Sequence, residues 1–215
     1  MTNTTSDPTT TMPSLYWEAR GAGSPILLIP GTPGDGGQFD AVAAELAADL
    51  MVLTYDRRGT SRSGAPEGWS QTSVAEQADD AARLLAQVGV EPAMVFGTSN
   101  GAAVALELAL RHPEQVAGIM LHEMPLLSIL ADPATVGAAI GGVIGPAMEA
   151  AGPRGALDAF LRFAFGDSIV DGWDAEFGDR MLSNAEMVFS VEMPAFQAYR
   201  PDEGALSRCT TPTAV

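Results

Sequence analysis

The stretch Met94-Val95-Phe96-Gly97-Thr98-Ser99-Asn100-Gly101-Ala102 decides the reading of this chain. Its first three residues are apolar and read as a buried strand, while the alanine-rich run from Ala102 to Leu110 reads as a helix. Between them, Gly97 to Gly101 leaves room only for a sharp turn, with glycines where backbone must approach backbone. A strand, a tight turn and a helix with serine at the apex is the arrangement of a nucleophile elbow. The apical residue of such a turn is held in a strained conformation and projects above the sheet edge, so Ser99 is the candidate nucleophile. Gly97 and Gly101 are the elbow glycines. Five residues of this pattern also occur in ordinary turns, so the order of the flanking elements carries the weight.

Upstream, Leu15 to Ala19 reads as a short strand, and Ile26-Leu27-Leu28-Ile29 is continuously apolar, as a parallel strand covered on both faces should be. The glycine and proline cluster from Pro30 to Gly37 must be loop, and Phe39, Val42, Ala43 and Leu46 then share one helical face. Met51 to Tyr55 forms the next strand and runs into the polar loop Asp56 to Gly64. Ser73 and Glu76 have the spacing of a capping box at the head of an amphipathic helix carrying Val74, Ala78, Ala81, Leu85 and Val88. Strand Ala93 to Phe96, the elbow helix and strand Val116 to Leu121 complete an alternation that predicts a doubly wound, mostly parallel α/β sheet.

Beyond Pro125 the pattern becomes helical and rich in Met and Phe, with Leu157, Phe160 and Leu161 on one face and Phe189, Met193 and Phe196 on another. This predicts a helical lid; an ordinary packed helical layer would show the same stripes. The expected division is a disordered tail over 1–13, a core over 14–124, the lid over 125–205 and the start of a further core strand over 206–215.

Formal charge is −16, from 27 acidic residues against 11 basic ones, and every basic residue is arginine. Such an acidic surface disfavours nucleic acid as a partner. No consecutive apolar run approaches the roughly 18 residues of a membrane span, and the first twelve residues lack the basic and apolar regions of a signal peptide. No membrane partner is therefore expected, and the expected location is cytoplasmic. The single cysteine, Cys209, cannot form an internal disulfide.

With the elbow and both loops in view, the chain resembles the α/β-hydrolase superfamily, most completely from Ser14 to Pro125. That family's loop after the first long strand is similar to Pro30-Gly31-Thr32-Pro33-Gly34, with proline here in place of histidine. Its Asp-x-Arg-Gly-x-Gly-x-Ser loop is similar to Asp56 to Ser63, with Ser61 at one glycine position. The resemblance implies an oxyanion hole formed by the backbone N–H groups of Asn100 and Thr32. Asp56 and Arg57 are read as structural, as polar turn residues usually are.

The family's triad runs Ser, Asp or Glu, then His. Of the two histidines, His112 closes the elbow helix, where a capping or solvated role is expected, and His122 sits at the tip of its strand beside Glu123. If the strand persists through both, alternation allows only one of them into a pocket. Resemblance to members such as haloalkane dehalogenases implies Glu123 as the acid. The family's histidine would follow the last strand, so the pattern predicts a chain cut short at Val215, with the last strands and helices missing and an exposed sheet edge.

The expected function is hydrolysis of an ester, amide or related bond of a small, apolar substrate through an acyl-serine, with no metal or organic cofactor. The alternative is a non-catalytic ligand-binding relative or an inactive fragment. Oligomeric state is left open by the sequence. A dinucleotide-binding domain is excluded, because no G-x-G-x-x-G follows the first strand.

Overall fold

The computed structural model describes residues 14–126 and 130–215, so the tail expected over 1–13 lies outside the described residues. The strands β1 (Trp17–Arg20), β2 (Ser24–Ile29), β3 (Leu50–Tyr55), β4 (Ala93–Thr98), β5 (Val116–His122) and β6 (Thr213–Ala214) form one sheet in the order β1-β3-β2-β4-β5-β6. β1 runs antiparallel to β3, and every other neighbouring pair is parallel.

The continuous apolar run of β2 has a direct cause. Ile26 and Leu28 pack with Phe39, Ala43 and Val52 on the face covered by α1 (Asp40–Leu46). Leu27 and Ile29 join Leu53 and Val95 on the opposite face, against the residues of α2 (Val74–Val88) and α3 (Asn100–Arg111). Each such side chain contributes about 1.5–3 kcal/mol by leaving water, so a polar residue on either face would be costly.

Only half of the capping box forms at the head of α2. Ser73 Oγ accepts from the Glu76 N–H at 3.0 Å, as its spacing predicts. The Glu76 carboxylate instead accepts from Thr72 Oγ1 at 2.9 Å and pairs with Arg58 at 2.8 Å, because a buried guanidinium competes better for it than one backbone N–H.

The elbow glycines let α3 sit against the sheet. A Cβ on Gly101 would lie 2.6 Å from the Pro30 carbonyl oxygen, and one on Gly97 would lie 2.6 Å from the Gly101 carbonyl carbon. Neither clash is relieved by rotating a side chain, since backbone stands on both sides.

Residues 130–208 contribute a helical layer: α4 (Pro133–Phe165), α5 (Asp167–Val170), α6 (Ala175–Ser183), α7 (Ala185–Met187), a π-helical turn at Val188–Glu192, α8 (Met193–Ala198) and α9 (Glu203–Arg208). Gly152 (φ 67, ψ −168) breaks α4 into two helices just before Pro153. Leu157, Leu161, Met181, Ala185 and Val188 form the layer's own buried cluster. Asn184 fastens it to the core, donating from Nδ2 to the Pro33 carbonyl at 2.9 Å and accepting the Ser61 N–H at 2.8 Å.

One boundary differs from those expected. α9 opens where Asp202 caps it by accepting the Ala205 N–H at 2.7 Å and continues through Arg208, past the expected limit at 205. α4 also contains an 18-residue window of mean hydropathy 1.3, none of it buried, which makes it long and apolar enough to cross a membrane by length and composition. Counting consecutive large apolar residues missed it, since alanine and glycine supply much of the window.

Candidate active site

Parallel register brings the expected site together. Ile29 of β2 lies beside Gly97 of β4, and Thr98 of β4 lies beside His122 of β5. The loop after β2, the turn after β4 and the end of β5 therefore meet at the carboxyl edge of the sheet, the usual ligand-binding edge of open α/β sheets.

Ser99 stands at the apex with φ 51 and ψ −127, a conformation rarely adopted by residues carrying a side chain. Its N–H donates to the His122 carbonyl at 2.8 Å, tying the turn to the neighbouring strand. Gly31 approaches from the other side: a Cβ there would sit 2.9 Å from Ser99 Cβ.

Thr32 and Asn100 are next to each other across this gap, with Asn100 Nδ2 donating to Thr32 Oγ1 at 3.1 Å. Asn100 opens α3, so its own N–H has no partner within the helix, and the helix N-terminus there favours developing negative charge. Among the described residues, neither Thr32 N–H nor Asn100 N–H donates to a protein acceptor outside regular secondary structure.

Thr32 Oγ1 in turn donates to Glu192 Oε2 at 2.6 Å and accepts from Arg57 Nη2 at 3.1 Å. With Asn100 as the second donor, that hydroxyl uses its single hydrogen and both lone pairs. Glu192 belongs to the π-helical turn, and both it and Arg57 are almost wholly buried. Arg57 Nη1 bonds Glu192 Oε1 and donates to Gln77 Oε1 at 2.7 Å, while Nη2 reaches Glu192 Oε2 at 3.1 Å and the Gly31 carbonyl at 3.3 Å. Phe196 covers the guanidinium, its ring centroid 5.7 Å from Cζ.

Sequence reasoning placed Arg57 as a turn residue and passed over Glu192. The available signal was a lone acidic residue inside the apolar stripe of Phe189, Met193 and Phe196. Asp56 does act structurally, accepting the Gly36 N–H at 2.9 Å and pairing with Arg62 at 2.7 Å.

Ser99, Thr32 and Asn100 border a cavity of about 440 Å³, which is also lined by Ile140, Ile144, Leu157, Phe160, Val188, Phe189, Met193 and Phe196 of the helical layer. That volume lies in the range of small-molecule sites.

Neither histidine borders the cavity. His112 follows the end of α3, and its Nε2 lies 2.7 Å from Oδ1 of Asp79 on α2, so the side chain joins the two helices. His122 Nδ1 lies 3.1 Å from Thr98 Oγ1, and its ring stacks at 27° on Phe96, on the α1 face of the sheet. Glu123 is exposed, outside the cavity lining, and carries φ 52. β5 stops at His122, so strand alternation no longer governs where Glu123 points.

Residues 24–139 match the family described as the alpha/beta hydrolase fold. The uncharacterized hydrolase YraK of Bacillus subtilis is 45% identical over 117 residues, covering 54% of this chain and 43% of that protein. A zearalenone hydrolase of Cladophialophora bantiana is 32% identical over 170 residues, covering 70% of this chain and 64% of its own length. The chain thus spans less than two thirds of either relative. Among solved structures, a hydrolase from Pseudomonas aeruginosa superposes with a TM-score of 0.73 at 23% identity, over 95% of this chain and 76% of that one. A thermophilic esterase from Thermogutta terrifontis gives 0.69 at 23% identity, over 93% and 72%. Strand order, elbow and family match agree: the chain belongs to the α/β-hydrolase fold family.

Proposed function

We propose that this chain carries the nucleophile and oxyanion hole of a serine hydrolase acting on an ester, amide or related bond of a small, apolar substrate. The observation that carries the reading is Ser99 at φ 51 on the cavity wall, with Thr32 and Asn100 beside it. Ser99 Oγ bonds to the substrate carbonyl carbon as the carbonyl electron pair moves onto oxygen. The N–H groups of Thr32 and Asn100 donate to that oxyanion, each worth about 10² to 10³ in rate. Collapse breaks the bond to the leaving group, which takes the serine proton by way of a base, and leaves an acyl-serine for water to cleave.

The helical layer acts as the lid that excludes bulk water from this step. Its apolar wall and the hydrolases among the relatives support the reading. Glu123 serves as the acid that orients the base: it stands one strand from Ser99 at the same sheet edge, exposed and released from the strand.

Fluorophosphonate labelling tests the assignment. An activated Ser99 gains one adduct by intact-mass measurement, and Ser99→Ala loses it; an adduct that persists in Ser99→Ala overturns the nucleophile. A second reading keeps the fold without the chemistry: a ligand-binding protein, for which the apolar cavity wall is the supporting observation. An inert Ser99 together with measurable binding of an apolar ligand would establish that alternative.

A further inference from the structure

Among the described residues, the cavity wall is polar at two places. One is the Ser99, Thr32 and Asn100 corner; the other is the end of α8, where Gln197, Tyr199 and Arg200 reach the rim. The Tyr199 hydroxyl is already engaged, donating to Glu107 at 2.9 Å. Arg200 is different. Nine of the eleven arginines pair with a carboxylate among the described residues, as 27 acidic groups would lead one to expect. Arg200 has no such partner, and neither does Arg208, which lies away from the cavity.

The Arg200 guanidinium is held rather than loose. Its Nη1 donates to the Gln197 carbonyl in the last turn of α8 at 2.9 Å and to the carbonyl of Tyr199, just past the helix end, at 2.7 Å. That uses one nitrogen of a group with five N–H donors, and the Nε and Nη2 edge has no acceptor among the described residues. This edge is the fork that grips a carboxylate with two parallel hydrogen bonds.

We infer that Arg200 forms an anion subsite at the rim of the cavity, so that the preferred ligand has an apolar body and a carboxylate or similar anionic group at one end. The inference rests on the proposal that this cavity is the substrate site, and it narrows the substrate class. Arg200 is exposed, so its pair with an anion is partly screened by salt; at 0.15 M salt the protein's −16 charge is itself felt over only about 8 Å, which leaves the contact geometry to decide. A solely structural role, capping α8, would need the Nη1 bonds alone and would be indifferent to ligand charge.

Titration calorimetry at 0.15 M salt, with octanoate and octan-1-ol on the wild-type chain and on Arg200→Gln, separates these roles. Octanoate should bind the wild type roughly threefold to fivefold more tightly than it binds Arg200→Gln, while octan-1-ol binds both alike. Octanoate affinity unchanged by the substitution, or an equal loss for both ligands, overturns the anion subsite and leaves the cavity reading standing. Failure of both ligands to bind the wild type overturns the cavity as substrate site and this inference with it.

Discussion

Thr32 and Glu192 are joined by a 2.6 Å hydrogen bond that crosses from the loop after β2 to the π-helical turn of the helical layer. Single-turn π segments insert one extra residue into a helix, and they recur at functional sites. Here the turn swings Glu192 inward onto Arg57 and Thr32, and Val188 and Phe189 border the cavity. The position of the Thr32 backbone is thereby set from both layers at once.

Removing Glu192 alone should be far more harmful than removing the whole pair. Glu192→Leu leaves Arg57 buried with no carboxylate, a cost of about 3–5 kcal/mol. For a chain of this length, that lowers Tm by roughly 10 °C or more. Arg57→Met combined with Glu192→Leu should recover much of the loss, because both desolvated charges disappear together. Thermal melts of the two single variants and the double variant check this; a double variant as unstable as the sum of the singles contradicts it.

Ser99 allows a prediction of opposite sign. Holding a serine at φ 51 stores about 1–3 kcal/mol, whereas glycine adopts that conformation freely. Glycine also adds freedom to the unfolded chain, which costs about 0.5–1 kcal/mol. Ser99→Gly should therefore gain about 1 kcal/mol, raising Tm by roughly 2–4 °C. Ser99→Ala keeps the strain and should melt with the wild type, so equal Tm values for the alanine and glycine variants would refute stored strain.

Asn184 is the second fastening between layers. Asn184→Ala strands the Ser61 N–H and the Pro33 carbonyl, and the loss should be about 2–3 kcal/mol. Asn184→Asp keeps an acceptor for Ser61 but sets a buried carboxylate against the Pro33 carbonyl, so it should be at least as destabilised as alanine. Urea denaturation midpoints at constant slope provide the measurement, and an aspartate variant as stable as wild type would contradict the hydrogen-bond assignment.

The sheet was legible in the sequence because its signals are local. The run Ile26 to Ile29 announces burial on both faces, and the glycines at 97 and 101 announce a turn packed against backbone. The Arg57–Glu192 pair was not legible, since its members lie 135 residues apart and neither sits in a local pattern that demands the other. Glu192 looked like a stray charge in an apolar stripe, and Arg57 looked like one of several polar loop residues. Their burial becomes affordable only once the fold brings them together. Glu123 illustrates another limit: alternation along β5 applied to it only while the strand lasted, and the strand ends one residue earlier.

The cluster at the end of α3 sets a pH dependence. Burial acts to raise the Asp79 pKa, but hydrogen bonds from Arg111 and His112 outweigh it and hold the carboxyl below the usual aspartate value. A carboxyl whose folded pKa lies below its unfolded value stabilises the protein above the unfolded pKa, and that contribution vanishes as pH falls through the folded pKa. Because the pair with Arg111 is partly exposed, the contribution at neutral pH is about 0.5–1 kcal/mol. Asp79→Asn should accordingly lower Tm by roughly 2–3 °C at pH 7. The gap to wild type should narrow below about pH 4, near the unfolded aspartate pKa. Melting curves from pH 7 downward check this, and a gap that widens on acidification would show that Asp79 is not stabilised as the anion.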